Sequence, residues 1–481
     1  MRPGQKNKRP LTQPWPRLET GCLPQTPGFL CRLRPFFWLL LAAGLTFGCN
    51  LLAGPQQPAI PSPPPFSTPV LIGGVPPETA VDPVSEITLS ADPEIAALAE
   101  AVSTQQLTAY VRTLAAFGTR STFSVVDQPA AGVGAARTWI YEELVRVGSG
   151  RLQVELDDFD LNHQGVSYPQ QNVVATLPGR SGQSGAIVLM AHYDSRTIDP
   201  NNGSGVAPGA NDNASGVALL LELARLLSAR SWERTIIFVA FAAEEQGTHG
   251  SRHFVADRLL AGWQVAAALN NDIVGGRPGI PQTVRVFTPG PDTSTPRQLA
   301  RYVRFIGRLY VPTLPADLQD AVDRPERFSD HIRFLDAGIP ALRLTESVED
   351  ISSQHNAFDT PEKIDYDYLR RVAQLNLAAI ASMAGAPPPP ETLTVAAMAA
   401  PGAFLLTWVP DPQAVAYAIS FRPVGSDAYA PFRFVTASQA GNVALTGFDP
   451  AVAYAVSVAA VGVNGRLGLF SPEFVVSAPG S

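Results

Sequence analysis

The stretch "AIVLMAHYDSRTIDPNNGSGVAPGANDNASGVALLLELARLLS", residues 186–228, decides the fold. It opens on a short, uncharged apolar run, the pattern of a strand buried on both faces. A loop rich in Gly, Asn and Pro follows. Apolar residues then recur at helical spacing in "NASGVALLLELARLLS". His192 and Asp194 stand where the strand ends, and Asp212 stands just before the helix.

The same alternation continues outward. "NVVATLPG", "TIIFVAFAAEE", "QVAAALNNDIVG" and "PALRLTE" are further short apolar runs separated by helical patterns. "DPEIAALAEAVSTQQLTAYVRTLAAFG" predicts one helical stretch with an Asp-Pro start, and "AARTWIYEELVRVG" a second helix ending at Gly148. Continuous apolar strands alternating with helices predict an α/β domain over residues 89–386, with a mainly parallel central sheet covered on both faces. Two Pro-rich segments flank it, residues 55–88 and 387–392, and each reads as an extended spacer. Residues 393–481 change pattern to alternating strands with Gly, Pro and Asp turns, which predicts a small all-β sandwich with Trp408, Tyr417 and Tyr454 in its core.

Composition narrows the chemistry. With 46% hydrophobic residues in 481, the chain can build a sizeable core. Residues 1–49 hold seven of the Lys and Arg against Glu19 alone, which leaves the rest of the chain at net −13. An acidic surface argues against a nucleic-acid partner, since phosphate binding needs a basic footprint. All three cysteines, Cys22, Cys31 and Cys49, lie in the N-terminal segment. Any metal in the folded part must therefore be held by His, Asp and Glu. The basic start is followed by the uncharged "FFWLLLAAGLTFGCNLLAG", residues 36–54, so residues 1–54 read as a signal peptide or anchor. "LTFGC" resembles a lipoprotein cleavage box that would place a lipid on Cys49; an uncleaved membrane anchor and ordinary secretion are the alternatives. All three put the remaining chain outside the cytoplasm.

Charged groups interrupt the apolar runs at their carboxyl ends, where open α/β sheets bind ligands. His192 and Asp194 follow one run, Asp212 precedes a helix, Glu244 and Glu245 follow another run, Asp272 follows a third, and His355 lies beyond a fourth. Singly, each has an ordinary explanation: a helix N-cap for Asp212, a solvated helix start for the Glu pair, an incidental histidine. Together at one rim the carboxylates would repel one another unless a cation neutralised them. His, Asp and Glu without thiolate suit zinc in an open site.

The motifs "AHYDS", "GANDNASG", "AAEEQG", "NNDIVG" and "HNAFDT" resemble the zinc-dependent aminopeptidase and exopeptidase family that includes bacterial leucyl aminopeptidases, aminopeptidase Y and glutamate carboxypeptidase II, and the resemblance runs from about residue 91 to 383. The resemblance implies a three-layer α/β/α phosphorylase/hydrolase-like sandwich, and the tail resembles a fibronectin type III domain. It implies two zinc ions per chain bridged by Asp212, one also held by His192 and Asp272, the other by Glu245 and His355. Glu244 matches the general base, and Asp194 the acid that orients His192. Asp359 is a candidate for the same service to His355. His331, in "FSDHIRFLDAGIPALRL", matches a position that can hydrogen-bond the tetrahedral intermediate; a plain partner for Asp330 is the other reading. His163, His249 and His253 receive no role. The Asn pair before Asp272 departs from the family pattern and leaves the register of that strand open.

The expectation is a zinc metallopeptidase acting on peptides, an aminopeptidase first. A carboxypeptidase, a glutaminyl cyclase-like enzyme and a non-catalytic binding protein are the alternatives. The full ligand set favours hydrolysis.

Overall fold

The apolar runs are strands because helices cover both of their faces. The computed structural model describes residues 85–86, 89–180 and 185–477. In chain order a short strand β1 (Ser85–Glu86) precedes α1 (Pro93–Glu100), α2 (Thr104–Ala116) and α3 (Gly132–Gly148). There follow β2 (Gln153–His163), β3 (Val166–Leu177), β4 (Ala186–His192), α4 (Ser215–Ser228), β5 (Ile236–Phe241), α5 (His249–Leu260) and β6 (Val265–Asn271). The domain closes with β7 (Val284–Phe287), α6 (Thr295–Tyr310), β8 (Ala316–Gln319), α7 (His331–Asp336), β9 (Ala341–Glu346) and α8 (Tyr366–Gly385).

Strands β2 to β9 form one eight-stranded sheet in the order β2-β3-β5-β4-β6-β9-β7-β8. The four central strands β5, β4, β6 and β9 run parallel. Alternate residues of one strand serve opposite cores, as the two-residue period of a strand requires. In β4, Ile187, Leu189 and Ala191 join a cluster with α2, α3, α4, α6 and α8, while Val188 and Met190 join one with Phe254 of α5 and Phe334 of α7. The result is the three-layer α/β/α arrangement, with a mainly parallel sheet. Neighbours β5 and β6 lie on opposite sides of β4, so the crevice for a ligand opens at the carboxyl end of β4.

Three strands escape the apolar-run criterion. β2 pairs antiparallel with β3 at the sheet edge and carries Glu155, Asp157, Asp158 and Asp160. Charge on an edge strand guards against pairing with another chain and hides the strand from a hydrophobic search. β7 and β8 span four residues each. The stretch predicted as one helix is two, α1 and α2. Ser103 breaks it, because its Oγ accepts from Gln106 N at 3.2 Å to cap α2 while its own N–H donates to Glu222 Oε1 at 2.8 Å.

Beyond α8 the chain is all-β: β10 (Thr394–Ala397), β11 (Phe404–Thr407), β12 (Ala416–Pro423), β13 (Arg433–Thr436), β14 (Asn442–Leu445), β15 (Tyr454–Val461), β16 (Leu467–Phe470) and β17 (Phe474–Val476). Two antiparallel sheets result, β10-β11-β14 and β1-β13-β12-β15-β16 with β17 beside β15. Trp408 and Tyr417 are buried between them, edge to face at 5.2 Å, and Tyr454 packs half-buried at their margin.

This tail does not hang from the first domain. Phe432, Phe434, Leu467 and Phe470 belong to the same apolar cluster as α6 and α8. Across the seam, Tyr302 OH donates to Leu467 O at 2.7 Å and Gln298 Nε2 to Ser471 O at 2.8 Å. An ionic network lies there too. The fully buried Arg422 donates to both oxygens of Glu473, at 2.8 and 2.6 Å, and to Asp292 Oδ2 at 2.8 Å. Arg301 also pairs with Asp292.

The signal or anchor expected in residues 1–54, Cys49 included, lies outside the described residues, as does the 55–88 spacer apart from β1. Among the described residues no helix is long and apolar enough to cross a membrane.

Candidate metal centre

Four parallel strands deliver the site: β4, β5 and β6 end on a polar site residue or within one turn of it, and β9 leads into the loop that holds another. His192 is the last residue of β4. Asp272 follows β6 directly, its N–H donating to Leu344 O at 3.1 Å, which settles the register of the Asn-rich strand. Asn270 and Asn271 are spent inside the core, on Ser329 and on Asn376. Glu244 and Glu245 stand in the turn after β5, and His355 in the loop after β9. Asp212 sits in a tight turn ahead of α4.

The backbone is forced into shape here. Seven non-glycine residues have positive φ among those described, and Ala243, Ile273 and His355 are three of them, at or beside ligand positions. Thr248 and Glu326, two more, line the same cleft. A β-branched Ile at φ 60° costs on the order of 1–3 kcal/mol, and such strain persists only where surrounding structure holds it.

Two ligand sets share Asp212. In the first, His192 Nε2 lies 3.4 Å from Asp212 Oδ1 and 3.5 Å from Asp272 Oδ1. In the second, His355 Nε2 lies 3.3 Å from Asp212 Oδ2 and 3.4 Å from Glu245 Oε2. Two ligand atoms held tetrahedrally at about 2.05 Å from zinc are about 3.3 Å apart. The spacings around each histidine are close to that value, so each donor set could hold a metal ion. Buried polar atoms agree: among the described residues Glu245 Oε1 and Asp272 Oδ1 have no hydrogen-bond partner, which suits a cation there.

Electrostatics point the same way. Burial pushes the Glu244 carboxyl well up, and Asp330, Glu245 and Asp272 push further, against the pull of His192. Burial also raises Glu245, with Asp212 adding to it. At His192 burial disfavours the imidazolium, but Glu244 and the bonds from Asp194, Asp212 and Asp272 outweigh it and lift the pKa well above the usual value. Carboxylates crowded in a dry site draw positive charge from wherever it is available.

Supporting residues fix the ligands. Asp194 is fully buried; its carbonyl lies 3.1 Å and its Oδ1 3.5 Å from His192 Nδ1, which leaves Nε2 for a metal. The Asp194 carboxylate also accepts the N–H groups of Glu244 and Glu245, at 3.2 and 3.1 Å, so one side chain registers two strand ends. Asp359 takes another part from the one expected. Its two oxygens accept from Asn211 N at 2.8 Å and Asp212 N at 2.9 Å, so it orients the shared aspartate and not His355.

His331 requires a correction. It is fully buried, is absent from the cleft wall, and its Nε2 lies 2.8 Å from Val322 O. It faces the core because α7 turns that side of "SDHIRF" inward, so it offers nothing to a substrate. His163 lies against Phe123 and Asn201, and His253 stacks on Phe159, both away from the ligand sets.

Two arginines were not anticipated. Arg343 of β9, fully buried, binds both oxygens of Asp323 at 2.7 Å and reaches Asp272 Oδ2 at 3.0 Å, which holds the Asp272 carboxyl well below its usual range although burial opposes this. Its signal was present: a lone charge inside an apolar strand. Arg120 donates to the carbonyls of Tyr193, Leu114, Pro208 and Gly209 and so ties the end of β4 to the turn that carries Asp212. Nothing in its neighbourhood in sequence marks it.

Comparison with known proteins agrees with this centre. Residues 172–380 match Peptidase family M28. A probable zinc metalloprotease of Pyricularia oryzae is 39% identical over 360 residues, covering 65% of this chain and 71% of that protein. One of Leptosphaeria maculans is 34% identical over 340 residues, covering 63% and 79%. The Legionella pneumophila LapA aminopeptidase shares the fold, with a TM-score of 0.50 and 21% identity over 61% of this chain and 75% of that one. With its strand-end ligands and these relatives, the chain belongs to peptidase family M28 and is a zinc metallopeptidase.

Proposed function

We propose that the protein is an aminopeptidase that hydrolyses the N-terminal peptide bond at a two-zinc centre. The observation that carries this is the sharing of Asp212 by two complete ligand sets with Glu244 beside them. His192, Asp212 and Asp272 would hold one ion, and Asp212, Glu245 and His355 the other. Bound there, the pair would supply an acidified water and a polarised substrate carbonyl. Glu244 lines the cleft, with Oε2 4.0 Å from His192 Nε2, and takes the proton of the attacking water. It then passes that proton to the leaving amine. Asp194 keeps the His192 ring and the Glu244 backbone in register throughout.

A cleft of about 260 Å³ supports an exopeptidase, since it takes the end of a chain more readily than an extended segment. We assign residues 89–386 to the peptidase unit and 393–481 to a fibronectin type III-like unit, supported by the latter's three-stranded sheet facing a larger one. The basic and apolar residues 1–54 support export, with a tether through an anchor or a lipid on Cys49.

The test is a matched pair of peptides, one with a free N-terminus and one acetylated, with chelator and added zinc as controls. Zinc-dependent release of the first residue from the free peptide alone is expected. Release from the other end, or cyclisation of an N-terminal Gln, would replace the aminopeptidase with another reaction of the same centre.

A further inference from the structure

Four arginines reach the cleft: Arg196, Arg324, Arg327 and Arg333. Their partners sort them. Arg324 is engaged by Asp323 and Glu349. Arg333 donates Nε to Thr248 Oγ1 at 2.7 Å and pairs with Asp336 at 3.2 Å. Arg196 Nε lies 2.7 Å from Glu245 Oε2, a carboxylate that the proposed function gives to a metal ion. Arg327 donates Nη1 to Gln354 Oε1 at 2.7 Å, and among the described residues no carboxylate lies within 4 Å of it.

The charge on the wall is unbalanced in consequence. Asp212, Glu244, Glu245 and Asp272 face the metal positions and Glu245 also holds Arg196, which leaves Arg327 as the guanidinium of the wall with no carboxylate partner among the described residues. The one other acid on the wall, Glu326, is exposed. Both arginines stand on the His355 side, Arg327 through the neighbouring Gln354 and Arg196 through Glu245. A guanidinium is weakly hydrated and matches a carboxylate in two-point geometry, so a half-buried one without a carboxylate partner selects that group.

We propose that the preferred substrate carries a carboxylate close to the scissile bond, bound by Arg327. The proposal rests on the aminopeptidase reading. The carboxylate belongs either to an acidic side chain in the first two residues or to the free C-terminus of a very short peptide, and the experiment tells these apart.

The zinc-loaded full chain is assayed on free-amine substrates in pairs. The pairs are a tetrapeptide amide with Glu or Gln first, the same with Glu or Gln second, and a dipeptide as free acid or amide. At least one acid is expected to exceed its neutral partner in kcat/KM by roughly tenfold or more, the value of a charge-assisted contact. The winning pair names the source. Arg327→Ala should draw that ratio towards one, with Arg327→Lys between; Arg327 is only half-buried, so the fold is not at stake. Equal turnover within every pair, or a ratio that survives Arg327→Ala, overturns the proposal and leaves the aminopeptidase standing. No release of any first residue removes the aminopeptidase and the proposal together.

Discussion

Replacement of Arg422 by Met tests whether the β unit is part of the enzyme's folded body. Arg422 is fully buried and donates to both Glu473 oxygens, to Asp292 Oδ2 and to Ser426 O at 3.0 Å. Arg422→Met strands the Glu473 carboxylate, itself buried, with only Arg301 Nη1 at 3.7 Å. Removing one member of a buried pair costs about 3–5 kcal/mol, most of it the uncompensated charge. A folded body about twice the 150–250 residues for which 1 kcal/mol shifts Tm by about 2–4 °C should move by roughly 1–2 °C per kcal/mol. The expected fall in Tm is therefore about 3–10 °C, read by calorimetry with the activity transition followed in parallel. Arg422→Met with Glu473→Met removes the stranded charge and should cost less than Arg422→Met alone. A single variant within about 1 °C of the parent, or a double variant worse than the single, would refute this account of the seam. An activity transition that ignores the substitution would show instead that the two units unfold separately.

Acid should weaken the same seam. Burial works against the Asp292 carboxylate, but the Gly425 N–H, Arg422 and Arg301 outweigh it and hold its pKa below the ordinary 3.8. A depressed carboxylate adds stability that is present above the unfolded value and lost as pH falls through the folded one. Tm should stay level from neutral pH to about 4 and then fall, and Asp292→Asn should lower the plateau and soften the fall; an unchanged acid limb excludes Asp292 as its cause. Glu244→Gln should keep both metal ions by elemental analysis and lose about 10²–10⁴-fold in kcat, so substantial residual turnover would remove Glu244 as the base. Arg120→Lys forfeits most of four carbonyl contacts and should weaken zinc about 10–100-fold in competition with a chromophoric chelator; unaltered affinity would leave Arg120 with no part in placing Asp212. Zinc at 100 times its dissociation constant should stabilise the metal-free protein by about 2.7 kcal/mol, and a Tm indifferent to zinc would argue against a preformed centre.

What could be read in advance followed burial. The four central strands are apolar on both faces, so each polar residue at their ends stood out against an uncharged run. His192, Glu244, Glu245 and Asp272 were visible for that reason. The edge strand β2 was not, because Glu155, Asp157, Asp158 and Asp160 give it the composition of a loop. β7 and β8 were too short to show a period. The roles of Asp359 and Arg120 depend on partners 147 and 89 residues away, a distance at which local pattern says nothing. His331 shows the opposite error. Its motif matches a position that can face the substrate, with a structural role beside Asp330 as the alternative, and only the rotation of α7 places it in the core. Residues 387–392 read as an extended spacer, and apolar side chains on both sides of it close a common core.

That common core sets an order of events during synthesis. The last of the proposed metal ligands, His355, and all of α8 are complete by residue 385, but the strands that cover α6 and α8 come later. A ribosome adding roughly 5–20 residues per second needs about 5–20 s for the remaining chain. For that interval a nearly finished enzyme exposes Leu299, Tyr302 and Phe305 of α6 to water, and β1, made among the first residues described, waits for Arg433 and Phe434 to reach it. A chain truncated in this region would carry every metal ligand and an uncovered apolar flank, which makes it a client for chaperones and proteases and not a smaller enzyme.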